Sequence, residues 1–320
     1  MTSVHPPPGG GPYGIQVRRE AVRRSWLVVS AIDDEAIGRA PTWGADVIVL
    51  DLEDSVHDTK KAAARERVKA AIATVAQGGA EVFVRPDIEL LHADLRASIW
   101  HGLTGVVLPK VKSAAQVREA EAVIEQFEAE RGLAGVIELH LALETGPGNY
   151  NAIEVIGAGS RVRSAGLGRA DLVMDLRGEP TGQLHMMPYI LERMIASARA
   201  AGVEPVGAYW RADARGTVAG PEASLKAARD GRALGTTGSF CAKGDQVEPL
   251  NRGYTPSPGE GEHAKAIVGA FEQAQAEGEG HGVLDGATVG PGLARAAAKV
   301  VEYAGLCAAR DAAKKAAVKG

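Results

Sequence analysis

Eight short apolar runs, separated by longer Ala-rich stretches, constrain most what this chain can fold into. Each run has the length and β-branched content of a strand buried on both faces, and the stretches between them have the apolar periodicity of amphipathic helices. The pattern therefore indicates parallel strands joined by crossover helices. The predicted strands cover residues 26–30, 46–52, 81–85, 105–109, 137–143, 162–168, 204–209 and 238–243.

The stretches between the strands carry helix start and stop signals. Asp58 and Ser113 are candidate N-caps. The helix that begins near Asp58 would end at Gly78 and Gly79, and the helix that begins at Ser113 would end at Gly132. These signals give several of the periodic stretches a predicted first or last helical residue. The predicted helices cover residues 57–77, 113–131, 185–201, 222–234, 258–276 and 292–310.

Strands and helices that alternate in this way predict an α/β fold, and eight such units over about 250 residues favour a TIM (β/α)8 barrel. A doubly wound open sheet uses similar units and is the alternative. We expect a flexible arm over 1–23 and the barrel over 24–254. The Pro-punctuated segment TPSPGE marks a boundary, after which we expect a small C-terminal helical extension or lid over 255–310 and a frayed tail over 311–320.

The composition argues against several classes of protein. The chain has 320 residues with a formal net charge of −4, which provides no basic surface for nucleic acid. It has neither the apolar core of a signal peptide nor the roughly 18 consecutive apolar residues of a membrane span. Cys241 and Cys307 are too few for a disulfide framework. We therefore expect a cytoplasmic protein with neither nucleic acid nor a membrane as its partner.

Charged residues recur directly after consecutive predicted strands. In a barrel the carboxyl ends of the strands form the active site, so these side chains are expected to converge on one cavity. A single acid at a strand end is more often a helix cap, and it is the coincidence of Arg85, Glu144 and Asp171 that predicts a site. The residues are Asp51, Glu53 and Asp54 after the second strand, Arg85 and Asp87 after the third, Lys110 after the fourth, Glu144 after the fifth, and Arg169 and Asp171 after the sixth.

Glu144 and Asp171 follow neighbouring strands and are candidate ligands of a hard divalent cation such as Mg²⁺. This ion takes one or two carboxylates in proteins and keeps positions open for water and substrate oxygens. Arg85 offers a planar, two-pronged donor for a substrate carboxylate. The combination suits a 2-oxo acid or its enolate, because the ion holds the negative charge that develops beside the carbonyl.

The segment LETGPGNYNAIEVI, residues 143–156, contains a Gly-rich turn that opens a helix. Its free backbone N–H groups are one possible anion site. The segment matches neither GxGxxG nor the P-loop pattern, and a plain strand-to-helix turn is the alternative. The sequence also contains no HExxH metal motif and no GxSxG nucleophile elbow.

Seven segments, in order, resemble the citrate lyase beta-subunit-like branch of the HpcH/HpaI aldolase superfamily. The resemblance covers about residues 24–305, and LDLED, VLPKV and ET-x-x-G-x-x-N are its more specific patterns. The segments are RSWLVVS at 24–30, GADVIVLDLEDSV at 44–56, FVRPD at 83–87, GVVLPKVKSAAQV at 105–117, LALETGPGNYNAIEV at 141–155, GLGRADLVMDL at 166–176 and NRGYTPSPGE at 251–260.

The resemblance implies a TIM barrel with a helical C-terminal extension and a Mg²⁺ site. Family members cleave or form carbon–carbon bonds in malyl-CoA, citramalyl-CoA, citryl thioesters or related 3-hydroxy acids, usually as homotrimers or hexamers. An oxo acid or acyl-CoA is thus the implied partner. The implied site residues are Glu144 and Asp171 for the metal, Arg85, Gly168 and Arg169 for the substrate, and Glu53, Asp54, Arg85 and Lys110 for catalysis.

The chain departs from the family pattern at several positions. Relatives commonly have Glu-Asp where this chain has Ala170 and Asp171, and VRVN where this chain has VRPD, which places Asp87 beside the Arg. An Ile-His-Pro segment is replaced by residues 242–244. The CoA-ester lyases carry a lid Asp in a Met-Ile/Val-Asp-x-Pro motif, and this chain has Gly290 there, with Asp285 matching an earlier Asp.

The sequence thus predicts a Mg²⁺-dependent carbon–carbon lyase that acts on a small 3-hydroxy or 2-oxo acid, or its CoA ester, through a metal-stabilised enolate. A missing acid or base removes orders of magnitude of rate, so the change at Gly290 keeps two alternatives open. One is a CoA-independent 2-oxo acid aldolase. The other is a non-catalytic protein that binds an oxo acid or CoA.

Overall fold

The structure is a computed structural model, and it describes residues 21–133, 135, 137–177, 188–207 and 219–318. Each of the eight predicted strands is present, although the predicted end of the seventh, 208–209, lies outside the described residues. The strands are β1 Ser25–Ser30, β2 Val47–Asp51, β3 Glu81–Arg85, β4 Gly105–Leu108, β5 Glu138–Ala142, β6 Val162–Gly166, β7 Glu204–Val206 and β8 Ser239–Cys241.

Helices alternate with these strands, as the apolar periodicity predicts. The first three residues of the predicted helix 185–201 lie outside the described part of the chain. The helices are α1 Asp34–Arg39, α2 Lys61–Val75, α3 Leu91–Ser98, α4 Ala114–Glu130, α5 Gly146–Tyr150, α6 Ala152–Ile156, α7 Arg169–Asp175, α8 Pro188–Ala200, α9 Pro221–Leu234, α10 Val247–Tyr254, α11 Pro258–Ala276 and α12 Pro291–Ala317.

The eight strands form one parallel sheet with the order β7-β6-β5-β4-β3-β2-β1-β8. The two ends of this order meet, because the Gly207 N–H donates to the Gly238 carbonyl at 2.7 Å and the Thr237 N–H donates to the Pro205 carbonyl at 2.9 Å. The result is a nearly closed barrel with helices between its strands. The predicted TIM barrel is confirmed, and the doubly wound alternative is wrong, since strand neighbours follow chain order around the barrel.

The two faces of the sheet bury different sets of side chains. On β2, Val47 and Val49 pack with Trp26 and Phe83 in a compact interior cluster, while Ile48 and Leu50 join the larger core beneath the helices. The interior cluster is aromatic, with 4.9 Å between the ring centroids of Trp26 and Phe83. The barrel is therefore filled below its mouth, and the chemistry is confined to the strand ends.

The C-terminal extension contains α11, a two-stranded hairpin of β9 Gly282–Leu284 and β10 Ala287–Val289, and α12. Residues 311–317 continue α12 where a frayed tail was expected. Asp311 accepts a hydrogen bond from Arg24 at 2.5 Å, and Lys314 donates one to Asp46 at 2.5 Å. These ion pairs fix the end of α12 to the amino-terminal end of the barrel.

The predicted N-terminal arm is described only at its end. Residues 1–20 lie outside the described residues. Arg23 is packed against the barrel, where it pairs with Glu81 at 2.5 Å and Glu138 at 2.8 Å. Across the described ranges, every helix is too short or too polar to serve as a membrane span.

Candidate active site

The predicted site residues meet at the carboxyl end of the barrel. Asp51 and Arg85 are the last residues of β2 and β3 and are paired in register. Lys110 and Glu144 each stand two residues beyond the ends of β4 and β5, and Asp171 lies in the first turn of α7, which follows β6. Because these strands are consecutive neighbours, one half of the mouth carries all of these charged side chains.

Arg85 is held by Asp51 through two hydrogen bonds. Nε donates to Oδ1 at 2.7 Å and Nη2 donates to Oδ2 at 2.8 Å. Asp51 is fully buried and also accepts the backbone N–H groups of Glu53 and Ser55, each at 3.0 Å. Burial alone would raise the pKa of Asp51, but Arg85 and these N–H groups lower it below its usual value.

The ion pair changes how Arg85 meets a ligand. The prediction gave Arg85 a two-pronged contact with substrate, but Nε and Nη2 belong to Asp51. The nitrogen that Asp51 does not use, Nη1, lies 3.6 Å from Oδ2 of Asp54, whose side chain is 52% exposed. A ligand at the mouth therefore meets Nη1 of a guanidinium whose orientation is already fixed.

Glu53 lies next to this guanidinium and is 3% exposed. Lys110 Nζ lies 2.9 Å from Oε1, and Arg85 Nε lies 3.4 Å from Oε2. These are ion-pair distances, yet neither carboxylate oxygen has an aligned hydrogen bond within the described residues. Burial raises the pKa of Glu53, and the charges of Arg85 and Lys110 oppose it only in part. The carboxylate therefore has capacity for a further cation.

Glu144 is 3% exposed, and its Oε1 accepts the backbone N–H of Lys110 at 2.6 Å. Burial, aided by the negative charges of Asp171 and Glu53, raises the pKa of Glu144 to about 7, although the Lys110 N–H opposes the rise. Lys110 has a φ of 49°, a left-handed conformation that costs a non-glycine residue roughly 1–2 kcal/mol. This backbone geometry aims the N–H at Glu144.

Gly168 makes room for the Glu144 carboxylate. It follows β6, and a Cβ at this position would lie 1.9 Å from Oε2 of Glu144. The structure thus places Gly168 against a candidate metal ligand, whereas the sequence analysis predicted a contact with substrate. The side chain of Arg169, the other predicted substrate residue beside it, lies outside the described residues.

The residues at the mouth fit a divalent cation. Within the described part of the chain, no three His, Cys, Asp or Glu residues lie together as a complete set of metal ligands. Mg²⁺ does not need one, because one or two carboxylates, water and substrate oxygens complete its coordination. The pKa of Glu144 is raised by burial and by the negative charges of Asp171 and Glu53, and a bound cation would offset both effects.

Asp87 does not take part in the site in the way that its position in VRPD suggested. Its Oδ1 accepts the backbone N–H of Glu89 at 3.0 Å, and its Oδ2 lies 2.8 Å from Nζ of Lys61. Lys61 is buried and was missed, although a signal was present. It lies on the same face of α2 as Ala64 and Val68, at positions i, i+3 and i+7 of the core stripe, which is unusual for lysine.

The Gly-rich turn after Glu144 is a plain strand-to-helix turn. The Gly146 N–H donates to Asp175 at 2.5 Å, and the Gly148 N–H donates to the Thr145 hydroxyl at 3.1 Å. A Cβ on Gly148 would lie 2.2 Å from the Val111 carbonyl oxygen, so close packing accounts for this glycine. These backbone donors already have partners, and the anion-site alternative gains no support.

The two residues of the predicted lid have structural roles. Asp285 and Gly286 have φ values of 49° and 78° and form the two-residue turn between β9 and β10. Gly290 precedes α12 as its N-cap residue, and no heavy atom of the described residues lies within 4 Å of where its Cβ would stand. The turn explains Asp285, and the position of the family's lid acid has space for a side chain.

A cavity of about 880 Å³ lies away from these acids. Its lining includes Arg24, Asn251 and Lys314, which lie near the amino-terminal ends of the strands, together with residues of α9 and α12. None of the mouth acids lines it. The candidate active site is therefore located by the charged strand ends and not by this cavity.

Together, the barrel and its charged mouth have the arrangement of the enzymes that work at the carboxyl ends of parallel strands. The family model for HpcH/HpaI aldolase/citrate lyase matches residues 24–243. The chain belongs to this family, and the resemblance found in the sequence is confirmed.

Three proteins that are similar to this chain illustrate the activities found among its relatives. Citrate lyase subunit beta of Escherichia coli is 31% identical over 288 residues, covering 88% of this chain and 93% of that protein. The (3S)-malyl-CoA thioesterase of Cereibacter sphaeroides is 30% identical over 270 residues, covering 83% and 89%. CitE from Mycobacterium tuberculosis, crystallised with magnesium and acetoacetate, is 25% identical with a TM-score of 0.56, covering 73% of this chain and 90% of that one. The relatives thus include a lyase and a CoA-ester thioesterase.

Proposed function

We propose that this protein is a Mg²⁺-dependent carbon–carbon lyase acting on a small 3-hydroxy or 2-oxo acid, or its CoA ester, through an enolate. The observation that carries the proposal is the Glu144 carboxylate. It is buried, its pKa is raised to about 7, and it lies beside the charges of Asp171 and Glu53. A carboxylate in such a place is stabilised by a bound cation, and bound Mg²⁺ would polarise a substrate carbonyl and spread the charge of an enolate.

The residues of the mouth would divide the work. Glu144 and Asp171 hold the metal, with the Lys110 N–H fixing the Glu144 carboxylate. Arg85 binds the substrate carboxylate through Nη1, since Asp51 occupies its other edge. Gly168 keeps the space that Glu144 needs, and Arg169 next to it is proposed to contact substrate.

Glu53, Asp54 and Lys110 complete the catalytic surroundings. Lys110 Nζ lies 2.9 Å from Glu53 and 3.5 Å from Asp54, so a positive charge stands between two acids at the mouth. Burial would lower the pKa of Lys110, but the charges of Glu53, Asp54 and Asp171 raise it above its usual value. We propose that this protonated ammonium offsets the negative charge of the site.

The substrate class rests on the relatives. The two similar enzymes reported above are named for citrate and malyl-CoA, and the M. tuberculosis structure holds magnesium with acetoacetate. These are small oxygen-rich acids or their thioesters. Gly290 specifically favours a second candidate, a protein that binds the oxo acid and metal with little turnover or acts without CoA, because the usual lid acid is absent.

A paired assay tests the proposal. Purified protein is incubated with citramalyl-CoA, malyl-CoA and unesterified 2-oxo acid aldol substrates, with Mg²⁺ or with EDTA, and products are quantified by mass spectrometry. We expect cleavage that requires Mg²⁺. If CoA and acyl-CoA raise the melting temperature, a thioester is indicated, since a ligand that binds only the folded state stabilises it. Binding of metal and oxo acid without turnover would contradict the lyase and support the second candidate.

The assembly and location remain part of the proposal. We propose a homotrimer or hexamer, as the family resemblance implies, which light scattering on the purified protein would measure. We also propose a reducing, cytoplasmic location. Cys241 and Cys307 are both buried and free, and this pattern fits a compartment where disulfides do not form.

A further inference from the structure

Lys61, the first residue of α2, binds the backbone of the acidic loop that follows β2. Its side chain is 7% exposed, and Nζ donates to the carbonyl oxygens of Leu52 and Glu53, each at 2.8 Å. The third contact of Nζ is Oδ2 of Asp87, also at 2.8 Å. An ammonium group has three donors, and this one places two of them on consecutive peptide groups of a single loop.

Asp87 is itself fixed by its neighbours. Its N–H donates to Asp94 at 2.8 Å, and Asp94, which is fully buried, pairs with Arg65 at 2.9 Å. Arg65 lies one turn after Lys61 on α2. Two ion pairs, Lys61 with Asp87 and Arg65 with Asp94, therefore connect α2 to the segment that follows β3.

This arrangement determines where the Glu53 side chain leaves the backbone. The carbonyl of Glu53 is bound by Lys61, while its N–H is bound by Asp51 at 3.0 Å. With both polar groups of its backbone fixed, the carboxylate reaches up to the mouth, where Lys110 Nζ lies 2.9 Å away. Lys61 and Asp87 do not contact the mouth acids through their own side chains.

We propose that Lys61 and Asp87 are positioning residues, which hold the loop of residues 51–55 so that the Glu53 carboxylate lies at the metal-binding mouth. The role in catalysis rests on the function proposed above, whereas the effect on the loop does not. The proposal also explains why an acid stands at position 87. In this chain the acid supplies the negative charge that the buried ammonium requires.

Asp87 therefore acts on the site through its contact with Lys61, and not through a contact with Arg85. The carboxylate stays ionised, because although burial would raise the pKa of Asp87, Lys61 and the Glu89 N–H lower it below its usual value. Asp87→Asn removes the charge and replaces one of the two carboxylate oxygens with an NH2 group. One acceptor oxygen is kept, and the contact with Lys61 is weakened. This makes Asp87→Asn a mild variant and Lys61→Met a severe one.

Hydrogen exchange measured by mass spectrometry tests the proposal. The amides of residues 52, 53, 55 and 56 all donate hydrogen bonds, so they report directly on loop opening. We expect Lys61→Met to accelerate their exchange by about tenfold or more, and Asp87→Asn by about threefold. If Lys61→Met fails to fold, Asp87→Asn still decides the question.

Two controls separate positioning from general destabilisation. Lys60→Met changes the exposed neighbouring lysine, and Val68→Ala removes core volume from the same face of α2 without touching the loop. The quantity compared is the exchange rate of the loop amides divided by that of the β5 and β6 amides. We expect this ratio to change by less than about twofold in each control variant. Loop exchange in Lys61→Met and Asp87→Asn that matches Val68→Ala would overturn the proposal.

The readout is independent of the proposed function. Hydrogen exchange is measured without metal or substrate, so it can succeed even if the protein is not a lyase. Calorimetric titration of the wild type with Mg²⁺ is run in parallel, and failure to bind Mg²⁺ would contradict the proposed function alone. If the wild type binds Mg²⁺, weaker binding by Lys61→Met than by Val68→Ala is expected, because the misplaced Glu53 no longer contributes its charge.

Discussion

Arg85 and Asp51 form a two-point ion pair between the last residues of neighbouring strands, with hydrogen bonds of 2.7 and 2.8 Å. The pair orients the guanidinium before any ligand arrives. Because Asp51 is buried and accepts four hydrogen bonds, it also organises the loop that carries Glu53. A strand that ends in several acids is thereby explained, since the first of them is a structural partner of Arg85.

We expect Asp51→Asn to reduce the free energy of unfolding by about 3 kcal/mol, because it removes the buried charge that accepts both hydrogen bonds of Arg85. Urea denaturation measures the change. Asp34→Asn is the matched control, since Asp34 pairs with Arg67 at the exposed surface, where loss of a pair costs less than about 1 kcal/mol. Equal effects of the two variants would contradict the buried role of Asp51.

His140 is expected to make the protein sensitive to acid. It is fully buried beside Trp26 and accepts or donates one hydrogen bond with Ser164 at 2.8 Å. Burial, helped by the charge of Arg23, lowers the pKa of His140 to about 3. Below its unfolded pKa of about 6.5, the unfolded state binds a proton that the folded state does not, so stability falls as pH falls towards 3.

The predicted size of this effect is about 3 kcal/mol between pH 6.5 and pH 4, at 1.36 kcal/mol per pKa unit. His140→Phe keeps a ring in the aromatic cluster and removes the titrating group. We expect its unfolding free energy, measured by denaturant titration, to depend less steeply on pH than that of the wild type. Parallel pH profiles for the two proteins would show that His140 titrates normally.

Gly168→Ala is expected to weaken Mg²⁺ binding by about tenfold or more, since the new Cβ would displace the Glu144 carboxylate from its position. Isothermal titration calorimetry provides the affinity. Gly220→Ala is the control, because that glycine also caps a helix but has open space where a Cβ would stand. Unchanged affinity in Gly168→Ala would separate Glu144 from the metal.

Gly290→Asp tests what the missing lid acid costs. General acid–base groups contribute about 10²–10⁴-fold in rate, so we expect at least about a tenfold gain in turnover of a CoA thioester. Stability should change by only a few tenths of a kcal/mol, about the difference between Gly and Asp as N-cap residues. Gly292→Asp is the matched control in the same open region. No gain over this control would favour chemistry that does not use CoA.

Much of the fold follows from local pattern. The strands are predicted because apolar β-branched runs of strand length recur between amphipathic stretches, and Glu144 and Asp171 stand at the strand ends where a barrel collects its chemistry. Those inferences need only the neighbouring sequence and a count of units. The structure brings Arg85, Glu144 and Asp171 to the same end of the barrel, as expected.

What local pattern cannot supply is register and distant pairing. That Asp51 faces Arg85 depends on how β2 and β3 align, so the sequence analysis assigned the guanidinium to substrate. The end of α12 is ordered by Asp311 and Lys314, which meet Arg24 and Asp46 from the far end of the chain. The burial of Lys61 could be predicted from its place in the apolar stripe of α2, but its hydrogen-bond partners in the loop could not.

The most direct test of the account is the Mg²⁺ affinity of Glu144→Gln and Asp171→Asn, measured by isothermal titration calorimetry on variants whose folding is verified. The account predicts that each variant weakens binding by about tenfold or more, because each removes one of two proposed carboxylate ligands. If both variants bind Mg²⁺ as the wild type does, the proposed metal site is wrong.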